Sequence, residues 1–362
     1  RPTWRMLARR PEARLGGVMR RLKILIWHIH GSYLNALARI DHEWYLPTKP
    51  GQPEGYGGRG PSFDLPPSLR EVPAEAVRDL DLDLVIYQTP KNWGEDAGEI
   101  LSPGQRRLPR VYLEHNTPQP DPVHTRHPVD DPETLLVHVT HYNRLMWDNG
   151  RTPTAVVEHS VAIDPTVAYD GSLARGITVV NEMARRHRIA GYDLFLEARE
   201  AVPLDVAGMG SEAFGGLGDI PYRELHRRIA PYRFLFSPIR YTSLPLAVVE
   251  AMTIGMPVVA LATTELPAVI EDGVSGFVSC DPAVLIDRMR RLLADPEYAA
   301  SIGATARAVA RGRFGLDRFT RDWNAAFERA RELRGPMSSA QRSDIRRVDL
   351  GDIVGVREGG PV

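Results

Sequence analysis

The side chains best suited to bind a phosphorylated ligand lie between residues 237 and 276. A strand-like run ends just before a loop that carries Arg240, and a helical pattern then begins near Ser243. Ser243 is a good helix N-cap, and Pro245 suits the first turn because its missing N–H costs little there. The free N–H groups and the partial positive charge of such a helix start suit a pyrophosphate.

Glu250 lies about two turns into this predicted helix, next to the apolar residues Val249 and Met252. A carboxylate among apolar neighbours needs hydrogen-bond donors, and sugar hydroxyls are suitable donors. The alternative is an ordinary helix with one carboxylate at the edge of a cleft. The residues alone leave both interpretations open.

Alternating strand and helix patterns predict the elements that position these residues. The apolar runs do not alternate with polar residues, which is typical of parallel strands covered on both faces. Strands are predicted at Leu22–Ile29, Leu84–Tyr87, Arg110–Glu114, Leu135–Thr140, Ala155–Glu158, Ile177–Val180, Leu204–Ala207, Phe234–Phe236 and Pro257–Leu261. Helices are predicted at Tyr192–Ala201, Tyr222–Ile229, Leu244–Ile254, Pro282–Ala294, Pro296–Ala310 and Leu316–Leu333.

Two of these helices begin with the same capping pattern, in which Asp281 and Asp295 each precede a proline. The pattern as a whole predicts an α/β fold with two Rossmann-like halves, a linker at Ala162–Gly176 and a Gly- and Pro-rich surface loop at Pro47–Pro67. The predicted boundaries are an arginine-rich arm at 1–21, a first domain at 22–165, a second domain at 166–315, a helix at 316–334 and a tail at 335–362.

Composition excludes several classes of protein. The 362 residues carry a net charge of -1, so a general nucleic-acid binder with a dominant basic field is not expected. A single cysteine, Cys280, excludes an intrachain disulfide and a multi-cysteine zinc site. No apolar run approaches the roughly 18 residues of a membrane span, and the basic arm lacks the apolar stretch of a signal peptide. A cytoplasmic location is therefore expected.

Two short motifs match known patterns but lie in the wrong context. The glycines of Gly55–Gly60 have the spacing of a dinucleotide-binding loop, yet they neither follow a strand nor open a helix. The alternating aspartates of Asp79–Asp83 lead directly into a strand, so we interpret them as a turn rather than as metal ligands. Five further histidines have no spacing that indicates a metal site: His124, His127, His138, His141 and His159.

The segment around Glu250 resembles the donor site of the retaining GT-B glycosyltransferases, in particular glycosyltransferase family 4. The residues that carry the resemblance are Glu250-Ala251-Met252, Gly255, Pro257-Val258-Val259-Ala260, Glu271-Asp272-Gly273 and Gly276-Phe277. The resemblance extends more weakly over most of residues 22–329. It implies two Rossmann-like domains with parallel sheets facing a cleft, and a last helix that crosses back to the first domain.

The resemblance also implies roles for single residues in the second domain. Glu250 stands at the position of the glutamate that holds the nucleotide ribose. Thr242 stands at the position of the family's first glutamate, which usually touches the donor sugar. Arg240, Ser243 and Leu244 belong to the same donor-binding segment.

The donor phosphates are expected to contact a second segment, which matches the family's Arg and Lys-Gly pair at Thr178–Asp193. The lysine is replaced here, but three arginines crowd what the sequence predicts to be a loop. Arg185 and Arg188 are the predicted phosphate ligands, with Arg186 in reserve.

In the first domain, Gly31 and Ser32 follow the first strand and are predicted to approach the donor, the alternative being a tight turn. His115 follows another strand, where the family often carries a histidine that faces the sugar. It is the predicted catalytic residue, and a structural histidine is the alternative.

The implied function is transfer of a hexose from a UDP- or GDP-sugar, with retention of anomeric configuration and without a metal or other cofactor. The acceptor is left open among a glycan, a lipid and a small molecule, and peripheral membrane contact is compatible with a lipid. Two alternatives remain: a non-catalytic GT-B protein that binds a nucleotide or glycan, suggested by Thr242, and a sugar-nucleotide epimerase.

Overall fold

Two parallel β-sheets organise the chain in the computed structural model, which describes residues 20–335. The predicted arm at 1–21 lies outside the described residues except for Arg20 and Arg21, and the predicted tail lies outside them beyond Gly335. No helix of the described part is both long enough and apolar enough to cross a membrane.

Within residues 20–335 the first sheet has seven strands in the order β3-β2-β1-β4-β5-β6-β7. Its strands are β1 (Lys23–Ile26), β2 (Glu43–Thr48), β3 (Leu69–Pro73), β4 (Leu84–Tyr87), β5 (Arg110–Glu114), β6 (Thr134–His138) and β7 (Thr154–Val156). The helices between them are α1 (Gly31–Leu37), α2 (Ala97–Ile100) and α3 (His141–Met146), with 3-10 turns at Ala74–Asp79 and Gln105–Arg107 and a π-helical turn at Asn92–Asp96.

The second sheet of the described chain has five strands in the order β12-β11-β10-β8-β9. Its strands are β8 (Leu173–Val179), β9 (Leu204–Ala207), β10 (Tyr232–Ser237), β11 (Val258–Leu261) and β12 (Phe277–Ser279). Its helices are α4 (Met183–Ala190), α5 (Tyr192–Ala201), α6 (Tyr222–Ile229), α7 (Leu246–Ile254), α8 (Leu266–Val269), α9 (Pro282–Ala294) and α10 (Pro296–Arg313), with a 3-10 turn at Ser211–Phe214. The strand β8 begins inside the linker predicted at Ala162–Gly176, which is therefore shorter than expected.

The last helix, α11 (Leu316–Arg334), lies on the first sheet. Phe319, Trp323 and Phe327 recur on one face of α11 and are fully buried in the core of that sheet. Their spacing of four residues places them on one helical stripe. The exact domain boundaries at 165 and 315 stay predictions.

Polar contacts join the two halves of the described chain. The Tyr241 hydroxyl donates to the Pro118 carbonyl at 3.0 Å. The Tyr142 N–H donates to Glu265 Oε2 at 2.8 Å, and the buried Glu265 also faces Arg313 at the end of α10. These contacts fix the ends of β5 and β6 against the second domain.

The capping prediction for α9 and α10 is confirmed. The Asp281 carboxylate accepts from the Ala283 N–H, and the Asp295 carboxylate accepts from the Tyr298 N–H, both at 2.9 Å. We expect Asp295→Ala to lower the free energy of unfolding by about 1 kcal/mol, because a free N–H remains at the helix start. Urea denaturation measures this, with Asp295→Asn as the control that keeps the cap; equal loss in both variants would contradict the capping role.

Candidate functional site

A cleft of about 330 Å³ lies at the carboxyl ends of β8 and β9. Asn181 and Gly208, just after those strands, line it from the second domain, together with Glu250 on α7. Ser32 and Phe63 line it from the side of the first sheet. The carboxyl edge of a parallel sheet is the usual position of a ligand in α/β proteins.

Gly208 allows the backbone to turn closely past the end of β8. Its φ is +133°, and a Cβ atom there would lie 2.3 Å from the Val180 carbonyl oxygen. Only glycine adopts this conformation without strain. The turn leaves Met209 at the cleft with 46% of its surface exposed.

The Glu250 carboxylate is buried at the wall of this cleft, with 3% of the residue exposed. Its Oε2 lies 3.5 Å from His226 Nε2, a long contact. Its Oε1 has no hydrogen-bond partner among the described residues. A buried carboxylate oxygen without a donor is costly, so this atom is a position for a ligand's hydroxyl or N–H group.

The helix that carries Glu250 begins later than predicted. It starts at Leu246, Pro245 occupies the N-cap position, and no side chain caps it, so the prediction of Ser243 as N-cap is wrong. The cause is Pro245, since a residue before proline is disfavoured in the helical conformation and Leu244 therefore stays outside the helix. The N–H groups at the helix start belong to Leu246 and Ala247, and both residues line the cleft.

The residues just before this helix do not line the cleft. Leu244 is buried in the core of the second sheet. The Ser243 carbonyl accepts from Thr264 Oγ1 at 3.2 Å, and Thr242 is half-buried in the preceding loop. Their roles in donor binding stay predictions.

Gly31 and Ser32 begin α1, and Ser32 lines the cleft. A Cβ atom at Gly31 would lie 2.3 Å from the Phe63 ring, so glycine is needed for this close packing. Phe63 belongs to the loop predicted at Pro47–Pro67. Its ring packs against the ring of Tyr222 on α6, with centroids 4.9 Å apart. The loop is therefore a contact between the two domains and not only a surface feature.

The predicted phosphate ligands Arg185 and Arg188 are exposed and paired with acidic side chains. Arg185 faces Glu182 at 3.1 Å, and Arg188 faces Asp193 at 3.0 Å. Arg240 also binds Asp193, with two contacts of 2.6 and 2.8 Å. Arg240 and Arg188 together hold the pKa of the Asp193 carboxyl below its usual value. None of these arginines lines the 330 Å³ cleft.

The arginine-rich segment is a helix, α4, and not the predicted loop. It is irregular, because Glu182 before it has a φ of +55° and His187 inside it has a φ of +43°. Left-handed backbone at non-glycine residues is strained and concentrates at functional sites. Arg186 lies between these two positions and is half-buried. In the described part of the chain it has no acidic partner, and burial and Arg185 lower its pKa.

His115 follows β5, as predicted, and is buried beside the start of α1. The Gln88 Nε2 donates to the Trp27 carbonyl at 2.6 Å, so Gln88 Oε1 faces His115 Nε2 at 2.9 Å. That contact places the ring proton on Nε2 and leaves Nδ1 as an acceptor. The His115 ring also lies 4.0 Å from the His30 ring, between centroids.

Burial keeps this imidazole neutral. It holds the pKa of His115 well below its usual value, and the neighbouring rings of His30 and His159 lower it further. The pKa of His30 is about 4, lowered by burial and by His28. At pH 7 the neutral His115 and His30 rings can therefore hydrogen-bond to a ligand's hydroxyl groups, but they carry no positive charge.

The described residues 20–335 contain no group of three or more His, Cys, Asp and Glu side chains arranged to hold a metal. Asp79 ends the 3-10 turn Ala74–Asp79, and Asp81 and Asp83 lie in the short link between that turn and β4. Asp81 binds the Lys23 side chain at 3.1 Å, and Asp83 accepts from the Lys23 N–H at 2.9 Å.

Sequence reasoning missed two residues that line the cleft, Phe63 and Tyr222, and also His226, which contacts Glu250 without lining the cleft. Tyr222 and His226 lie on α6 beside Glu250, and the sequence predicts only the helix. Their four-residue spacing on one face of α6 is the signal that they share a neighbour, but it does not identify Glu250 as that neighbour.

Comparisons with known proteins agree with this architecture. Residues 178–295 match the family model described as "Glycosyl transferases group 1". Sucrose-phosphate synthase from Thermosynechococcus elongatus is similar over 85% of this chain and 99% of its own, with a TM-score of 0.61 and 15% identity. HepE from Anabaena, solved in complex with UDP and glucose, is similar over 85% and 100%, with a TM-score of 0.60 and 14% identity.

A third similar structure is TarM from S. aureus, solved in one complex with UDP, with a TM-score of 0.53 and 15% identity. The match covers 69% of this chain but 56% of TarM, so the chain spans little more than half of that protein's length. No curated protein sequence matches the chain. At these identities the structural likeness concerns the fold, and the family match concerns the second domain. The chain thus has the GT-B fold, and its residues 178–295 are similar to the glycosyl transferases group 1 model.

Proposed function

We propose that the chain is a glycosyltransferase that binds a UDP- or GDP-sugar in the cleft between the two domains. The observation that carries the proposal is Glu250, a buried carboxylate at the cleft wall whose Oε1 has no partner among the described residues. The hydroxyl groups of a nucleotide ribose supply the donors this oxygen needs. The family match over residues 178–295 and the GT-B fold support this assignment.

The cleft wall carries carboxylates rather than cations, since Asp219 and Glu250 line it without a basic side chain. The negative charge of a diphosphate must therefore be balanced by groups at the rim of the cleft. The first N–H groups of α7, at Leu246 and Ala247, are free donors there. Arg186 of α4 does not line the cleft, but it lacks an acidic partner in the described part of the chain, and we assign the second phosphate contact to it.

The proposed reaction retains the anomeric configuration and needs no metal. The bond between the anomeric carbon and the diphosphate oxygen breaks, and the acceptor hydroxyl oxygen bonds to that carbon on the same face. The departing phosphate oxygen takes the acceptor proton, so no protein base is required. The α7 N–H groups and Arg186 stabilise the departing charge. His115 Nδ1 accepts a hydrogen bond from a hydroxyl of the transferred hexose.

Arg186→Ala is expected to weaken UDP binding by about tenfold, the effect of losing one charge-assisted hydrogen bond to phosphate. The matched control is Arg188→Ala, which removes an exposed arginine already paired with Asp193. We expect that variant to bind within about twofold of wild type, since exposed ion pairs contribute little. Calorimetric titration measures both, and equal losses would contradict the assignment of Arg186.

The function is tested by nucleoside diphosphate release from a panel of UDP- and GDP-hexoses in the presence of EDTA. Slow release from one donor that Glu250→Ala abolishes would support a metal-independent transferase and identify its donor. Proton NMR of the product then reads the anomeric configuration. Turnover that requires an added divalent cation would contradict the metal-independent mechanism.

Two other outcomes separate the alternatives. Tight binding of UDP or GDP without turnover, even with sugar acceptors present, would favour a binding protein, and Thr242 is the residue to examine then. An epimerised sugar as the product would favour an epimerase. No binding of either nucleotide would contradict the donor site itself.

A further inference from the structure

Three polar side chains meet in a buried cluster beside the cleft: Tyr222 and His226 on α6, and Glu250 on α7. Their exposed fractions are 8%, 5% and 3%. His226 Nε2 lies 3.5 Å from Glu250 Oε2, and the rings of Tyr222 and His226 pack edge to face at 4.8 Å. The two α6 residues are four positions apart and therefore lie on the same face of that helix.

Each member of this cluster keeps a polar atom without a hydrogen-bond partner among the described residues. The atoms are the Tyr222 hydroxyl, His226 Nε2 and Glu250 Oε1. Buried polar groups are almost always paired, so three in one place indicate an incomplete network. The network is open on the side of the cleft, where Tyr222 and Glu250 both form the wall.

His226 does not line the cleft. It lines a second cavity, of about 570 Å³, while Tyr222 lines both cavities. A small shortening of the contact between His226 Nε2 and Glu250 Oε2 makes it a hydrogen bond. His226 then occupies one carboxylate oxygen and leaves the other directed at the ligand.

Tyr222 lies beside the same carboxylate at the cleft wall. Burial and the adjacent Glu250 raise the pKa of Tyr222 well above its usual value, so its hydroxyl keeps its proton and is a donor. Phe63 packs on its ring at 4.9 Å and 35°. The Ser62 carbonyl accepts from the Arg223 N–H at 3.2 Å, which holds Phe63 against α6.

We propose that Tyr222 and His226 are positioning residues that orient the Glu250 carboxylate toward the ribose diol of the nucleotide, and so set the preference for ribonucleotides over deoxyribonucleotides. The inference rests on the proposed function, because it assigns the ribose to Glu250. Beyond that function, Tyr222 and His226 fix the carboxylate and thereby control the preference for ribonucleotides.

The test is calorimetric titration with UDP and GDP and with their 2′-deoxy and 3′-deoxy analogues. We expect wild type to bind its ribonucleotide about tenfold or more tightly than at least one deoxy analogue, as for loss of one hydrogen bond to a charged group. Tyr222→Phe and His226→Gln should each reduce that ratio by about threefold or more, because the carboxylate is then less well oriented.

The matched control is Tyr232→Phe. Tyr232 is as buried as Tyr222, but its hydroxyl binds Asp205 at 3.0 Å, away from the cleft. This variant should keep the wild-type ratio. Thermal unfolding of each variant shows whether it folds. If His226→Gln does not fold, Tyr222→Phe alone tests the inference.

The outcomes separate the inference from the proposed function. A wild-type preference that survives both substitutions would overturn the inference alone. Equal binding of ribo- and deoxyribonucleotides by wild type would also overturn it. If wild type binds neither UDP nor GDP, the proposed function fails and the inference fails with it.

Discussion

Replacing Glu250 with leucine is expected to weaken UDP or GDP binding by about a hundredfold or more. Two charge-assisted hydrogen bonds to ribose hydroxyls contribute about 3 kcal/mol together, and leucine makes neither. Glu250→Gln keeps the shape and the Oε1 acceptor but loses the charge, so we expect a smaller loss of about tenfold. Calorimetric titration with each nucleotide measures both effects.

The control for this series is Asp205→Asn, which alters a carboxylate of the same domain outside the cleft. Asp205 binds Arg175 and Tyr232 near the start of β10. We expect its nucleotide affinity to match wild type. A dissociation constant for Glu250→Leu within about threefold of wild type would exclude the ribose contact.

Trp323→Ala is expected to lower the free energy of unfolding by about 3–5 kcal/mol. Trp323 is fully buried in α11, and its Nε1 donates to the Tyr33 hydroxyl at 3.2 Å. Its ring packs against Phe319 and Phe327. Alanine removes these contacts and leaves a cavity, whereas Trp323→Phe keeps most of the apolar volume and should lose less.

Urea denaturation followed by circular dichroism measures this loss. Because α11 lies on the first sheet, the transition of that domain should shift to lower urea, and the second domain should shift less. A midpoint for Trp323→Ala equal to that of wild type would mean that α11 contributes little to the first domain.

Most of the strands and helices were predictable because their signals are local. The runs at β4 and β11 are continuous and apolar, and prolines preceded by aspartate begin α9 and α10. The strands β2, β3 and β12 were missed for physical reasons. β3 lies at the edge of its sheet and is largely exposed, β2 contains Pro47, and β12 has only three residues.

The candidate site was predictable only where one segment carries it. Glu250 and Ser32 lie in local patterns, and the structure places both at the cleft. Tyr222 and His226 reach Glu250 through the packing of α6 on α7, which no local pattern contains. For Arg185 and Arg188 the local pattern was misleading. Each is paired with an acidic side chain, Glu182 or Asp193, and Asp193 lies beyond the helix that carries the arginines.

The return of α11 to the first sheet has a consequence for the order of folding during synthesis. The second sheet is built from one continuous stretch of chain and is complete once Ser279 has left the ribosome. The first sheet is made earlier, but the apolar side chains of β5 and β6 that α11 covers stay open to water until Trp323 and Phe327 emerge. The domain that is translated first is therefore completed last, and its apolar face stays exposed to aggregation during that interval.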